Sequence, residues 1–190
     1  MDPITILGAA GSVVGIAGFG IQLSQVLYSF VSQTRSANRT LRSLIDGINA
    51  TTGAMDQVRD LLKDEKRNIE KGHPATLFSA KALDDVKGRA DQCLIIFWQI
   101  EAAITKKREA RNFEDELAER LDAFNQVITS TAEPKLPRLD IHQVLSRLES
   151  LKWTYVAPKL DQYSKELDRL QLNLVLMFQV ISMRARQIKP

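Results

Sequence analysis

Met1-Asp2-Pro3-Ile4-Thr5-Ile6-Leu7-Gly8-Ala9-Ala10-Gly11-Ser12-Val13-Val14-Gly15-Ile16-Ala17-Gly18-Phe19-Gly20-Ile21-Gln22-Leu23-Ser24-Gln25-Val26-Leu27-Tyr28-Ser29-Phe30-Val31-Ser32-Gln33-Thr34 contains one charged side chain, Asp2. The next is Arg35, and five of the chain's nine glycines fall before it. Glycine in a solvated helix costs about 1 kcal/mol relative to alanine. A segment this apolar and this glycine-rich points to close helix packing, in a protein core, in an oligomer or in lipid. Gly11 and Gly15, like Gly8 and Ser12, make small-xxx-small pairs that let helix backbones approach. The segment lacks the positive start of a secretory signal. Gln22, Ser24 and Gln25 interrupt its apolar run near the length a permanent span requires, and no cation flanks it closely. It reads as a core helix at rest that is apolar enough to enter lipid if released. Asp2 at its tip reads as a helix cap, the alternative being a pore mouth.

Outward from this segment, the 190 residues suit one domain. Hydrophobic residues make up 44% and charged residues 26%, enough apolar material for a core and too much for a disordered chain. Three apolar seams step alternately by three and four. They are Leu41, Leu44, Ile48, Thr51, Met55, Val58 and Leu62; then Leu83, Val86, Ala90, Cys93, Phe97, Ile100 and Ile104; then Leu160, Tyr163, Leu167, Leu170, Leu174, Met177 and Ile181. This spacing predicts long helices packed at shallow angles. Sustained alternation of the kind strands need is absent. Cys93–Trp98 and Leu172–Ile181 are apolar around most of the helix circumference, which predicts central positions.

The punctuation divides the chain further. Gly72 and Pro74 separate two helices, Asn112 caps a shorter one with Glu114, Asp115 and Glu116 in its first turn, and 131–137 is a loop. Ala157-Pro158 predicts a break or kink. The expected architecture is all-α: an up-and-down bundle of about six helices, near 3–31, 35–69, 76–107, 112–130, 139–155 and 158–187.

No phosphate loop, metal-ligand spacing or nucleophile constellation is present. Gly8-x-x-Gly11-x-x-x-Gly15 follows no strand, so it does not read as a dinucleotide fingerprint. His73 reads as a turn residue and His142 as a surface or cap residue. Cys93 lies in an apolar run and reads as a buried thiol; a single cysteine excludes an intramolecular disulfide and suits a reducing compartment. No enzyme, cofactor or metal is expected. The net charge of +3 is too small to argue for nucleic acid. Two local basic groups, Lys106, Lys107, Arg108 and Arg111, and Arg184, Arg186 and Lys189, read either as solvated helix ends or as contacts to anionic lipid.

Residues 1–16 resemble the opening of the HeLo-like N-terminal domains that precede NACHT or NB-ARC modules in fungal NOD-like receptors. Leu151-Lys152-Trp153 and the run Glu166-Leu167-Asp168-Arg169-Leu170-x-Leu172-Asn173-Leu174-x-Leu176-Met177-x-x-Val180-Ile181 resemble the closing helices of the same family. Between them, residues 109–137 carry no family signal. HeLo-like domains are similar in kind to the helical executioner domain of the mixed-lineage kinase-like pseudokinase. The resemblance implies a cell-death-inducing effector of an immune or allorecognition receptor. It would be cytoplasmic at rest and at the plasma membrane once activated by oligomerisation, with 3–31 as the releasable segment. It also implies self-association, phospholipid as a partner of the activated form and a C-terminal nucleotide-binding module, the chain then being part of a larger protein. The alternative is a non-lytic oligomerisation or adaptor module. On the insertion and packing reading, Gly8, Gly11, Gly15, Gly18 and Phe19 are the residues to watch.

Overall fold

A computed structural model describes residues 3–33, 39–72, 77–105, 113–130, 144 and 153–188. Among them the chain forms helices α1 (Pro3–Gln33), α2 (Arg39–Glu70), α3 (Ala80–Thr105), α4 (Phe113–Ser130) and α5 (Trp153–Ile188), and no strand. The all-α expectation holds, with five helices described. Of the fifth expected helix, 139–155, Val144 is helical and buried, 153–155 belong to α5, and the other positions lie outside the described residues, as do His73, Asn112, 131–137 and His142.

The seams explain the packing. Every seam residue of α2 and α3 is buried, and the α5 seam is buried apart from the half-buried Tyr163 and Met177. α1 packs against α2 and α3, and α5 against the same two helices, so α1 and α5 stand at opposite corners of a four-helix ring. α4 lies outside the ring against α1 and α3. Ser43 and Ser164 share a hydrogen bond of 3.2 Å, and Gly47 lies beside Leu167 and Asp168; α2 and α5 therefore run in the same direction. Residues 89–99 of α3 flank 166–173 of α5, while 81–85 flank 176–184, which makes that pair antiparallel. The C-termini of α3 and α5 thus lie at opposite ends of the bundle.

Local chemistry sets the boundaries. Gly72 ends α2 with φ of 80°, and its N–H donates to Ile69 O at 2.9 Å, a left-handed cap that glycine adopts without strain. Leu77 N–H donates to Glu65 Oε1 at 2.9 Å, so a fully buried carboxylate holds the α2–α3 connection. α3 begins at Ala80, later than expected, because Ser79 Oγ caps it by accepting the Ala82 N–H at 3.1 Å. The break expected at Ala157-Pro158 is a correction: α5 runs through Pro158. Pro158 is exposed and near the start of a 36-residue helix, where the loss of one ladder bond is carried by the remainder.

A second correction concerns Leu172–Ile181. Leu172 is 61% exposed and Leu176 50%, so this stretch forms one wall of the core and an apolar outer face. Among the described residues α2 and α3 are the helices packed against α5, and they leave this face uncovered. Cys93–Trp98, by contrast, is central: all but the half-buried Ile95 are buried.

Candidate functional site

α1 is the part of the molecule on which a functional reading turns. Among the described residues, nine of its large apolar side chains, including Ile6, Ile16, Phe19, Leu23, Leu27 and Phe30, are buried. Its outward stripe is Val14, Gly18, Ile21, Gln25, Tyr28 and Ser32, stepping by four and three. Gly8–Ser32 is long and apolar enough to cross a membrane, yet most of an 18-residue stretch within it, 61%, is buried in the bundle.

Three serine hydroxyls of α1 are satisfied within the helix. Ser12 Oγ donates to Gly8 O at 3.2 Å, Ser24 Oγ to Ile21 O at 3.0 Å and Ser32 Oγ to Ser29 O at 2.8 Å. Ser12 and Ser24 are buried. A serine that bonds to its own helix carries no unmet hydroxyl into an apolar medium, whether core or lipid.

The glycines separate into classes that sequence reasoning did not distinguish. A Cβ at Gly8 or Gly18 would meet nothing within 4 Å, so neither mediates close approach inside the bundle. Gly11 is half-buried and Gly15 buried. The tight contact is at Gly20, where a Cβ would clash with Thr52 Cγ2 and stand 2.7 Å from Phe97 Cε2. Phe19 is buried, with its ring centroid 6.5 Å from that of Phe97 and the planes tilted by 48°. Nothing in the sequence marks Gly20 apart from its neighbours; only the register against α2 and α3 does.

α4 covers part of this core by a polar latch. Arg120 stacks over the Trp98 ring, 4.6 Å from its centroid, and pairs with Glu101 at 3.5 Å. Leu117 and Phe124 supply its buried apolar anchors. Burial pushes the carboxyl of Asp91, seven residues before Trp98 on the same face, upward against the opposing charge of Lys87. Burial likewise pushes the Cys93 thiol up to about 12, against a smaller pull from Arg89, so this cysteine is an inert core group.

Of the expected lipid-contacting cations, Arg184 is exposed on α5. The side chains of Lys106, Lys107, Arg108, Arg111 and Arg186 lie outside the described residues. Thr105, just before the first group, is at the opposite end of the bundle from Arg184. Among the described residues no group of three or more His, Cys, Asp or Glu is arranged to hold a metal ion.

No family model matches the chain, and no curated protein or solved structure matches it.

Proposed function

We propose that this chain is a membrane-targeting, cell-death-inducing domain of the HeLo-like kind, serving a fungal immune or allorecognition receptor, and that α1 is its membrane-active element. The observation that carries this reading is an apolar helix, Gly8–Ser32, long enough to span a bilayer, whose buried serines hydrogen-bond to its own backbone. Those serines keep their hydrogen bonds whether the helix lies in a protein core or in lipid. Phospholipid and a nucleotide-binding module are the partners this reading assigns, with the cytoplasm and then the plasma membrane as its locations.

The energetics dictate that release is triggered. Burying a large apolar side chain stabilises by about 1.5–3 kcal/mol. Nine such side chains on α1 together rival the whole stability of a domain, about 5–15 kcal/mol. Lipid compensates the helix but not the socket it leaves on α2 and α3. Self-association that covers newly exposed surface supplies the missing term, which is why oligomerisation belongs in the mechanism.

The same burial supports a second reading, a non-lytic oligomerisation module in which α1 never leaves. Expression of residues 1–190 in a fungal cell separates the two. Relocation to the plasma membrane with loss of viability supports the lytic reading; a viable cell with diffuse or punctate cytoplasmic protein supports the module.

A further inference from the structure

Among the described residues α4 has the slightest hold on the bundle. Its buried side chains are Leu117 and Phe124, whereas α1, α2, α3 and α5 each bury more. α4 packs on α1 and α3 together, so it lies across the seam between them.

The polar part of that contact is incompletely paired. Arg120 stands 4.6 Å over the Trp98 ring and 3.5 Å from a Glu101 oxygen. The Arg120 and Glu101 side chains are 26% and 16% exposed, so the pair is largely withdrawn from water. Trp98 Nε1 and Glu101 Oε2 are buried and have no hydrogen-bond partner among the described residues. A buried polar group without a partner forfeits the hydration it would have in an open state. Undocking α4 uncovers the Glu101 carboxylate and the face of Trp98 beneath Arg120. This interface therefore opens more readily than the apolar seams of α2, α3 and α5.

The position of α4 makes that opening matter. α1 is held by α2, α3 and α4, and of these α4 alone stands outside the four-helix ring. It can swing away while the core between α2, α3 and α5 stays closed. α1 cannot move off α3 while α4 bridges the two. We propose that α4 is a lid on α1: it detaches before α1 leaves, and Arg120 is the latch that holds it shut. The proposal rests on the release of α1 in the reading above and names the step that controls it.

The test locks the lid. Cysteines are placed by Glu101→Cys and Arg120→Cys in a Cys93→Ala background and bridged with a cleavable bismaleimide, with circular dichroism as the fold check. Insertion of α1 is read by a Val14→Trp probe and phosphatidylserine vesicles brominated deep in the acyl chains, against the same chain with Val14. The unbridged chain, its latch removed, inserts about tenfold faster than one with Glu101 and Arg120 intact, the size of one partly desolvated cation–π and ion-pair contact. The bridged chain does not insert, and cleaving the bridge restores insertion. Should the double-cysteine chain lose helicity, Glu101→Gln takes its place, since it keeps size and shape and removes the charge; it inserts faster than wild type. A bridged chain that inserts as fast as the unbridged one, or a Glu101→Gln chain with the wild-type rate, overturns the lid and leaves the release of α1 standing. A wild-type chain that never inserts overturns both, because the lid then guards nothing. Dye leakage is measured separately: lid-controlled insertion into vesicles that stay intact removes the lytic function and keeps the lid.

Discussion

The ring edge of Phe97 on α3 occupies the space that a side chain on Gly20 of α1 would fill, 2.7 Å from where its Cβ would stand. Thr52 of α2 closes the same notch, so three helices meet at a position with no side chain. Gly20→Ala gains helix propensity of about 1 kcal/mol but overpacks a core that resists insertion by about 1–3 kcal/mol. The net expectation is destabilisation, read as a lower denaturant midpoint. Gly18→Ala, with open space around it, is expected to move the midpoint the other way by about 0.5–1 kcal/mol. Equal shifts of one sign would show that this notch does not set the position of α1.

Arg120→Ala removes both a cation–π contact and an ion pair with Glu101. Its expected cost is about 1–2 kcal/mol for a partly desolvated arrangement. Because α4 stands outside the four-helix ring, the effect is local. Hydrogen exchange is expected to accelerate across 113–130 while the amides of α2 and α3 keep their protection. Uniform acceleration across all helices would instead make α4 an integral part of the cooperative unit.

Asp91 gives a pH dependence with a definite sign. Burial raises its carboxyl above the ordinary value, outweighing Lys87. The folded state therefore binds this proton more tightly than the unfolded state. Its contribution to stability falls as pH rises from the unfolded value through the folded one, and the ionised form is a liability at neutral pH. Asp91→Asn is expected to raise stability at pH 7, with the advantage disappearing under acid conditions where the aspartate is protonated in both states. An advantage constant with pH would locate its origin outside ionisation.

Cys93 serves as a reporter of opening. It is fully buried and its thiol is pushed up to about 12. Labelling by a thiol reagent at pH 8 is expected to follow the rate or equilibrium of unfolding. Labelling at the rate of a free thiol in native buffer would mean that the α3 core is open.

The helices of this fold are legible in the sequence because their seams are periodic. The α2 and α3 seams place Leu44, Ile48, Phe97 and Ile100 in the core by spacing alone, and Gly72 announces the end of α2. What spacing cannot reveal is which helices are neighbours. Leu172 and Leu176 read as core because α5 is apolar nearly all round, and only its place at a corner of the ring leaves them bare. The glycines of α1 fail for the same reason. Gly18 and Gly20 look alike in the sequence, yet one faces open space and the other the Phe97 ring. Arg120 and Trp98, and Glu65 and Leu77, are contacts between segments whose pairing no local pattern encodes. The two basic groups read as candidate lipid contacts on charge alone, and charge does not report that Thr105 and Arg184 lie at opposite ends of the bundle.

The central claim is that α1 can leave the bundle for a bilayer. It is tested most directly with an environment-sensitive fluorophore on Val14→Cys in a Cys93→Ala background, mixed with anionic vesicles that contain a trapped dye and a quencher placed deep in the acyl region. The account predicts dye release that rises with self-association, accompanied by quenching of the Val14 probe. Vesicles that remain intact at every oligomeric state, with the probe unquenched, would contradict it.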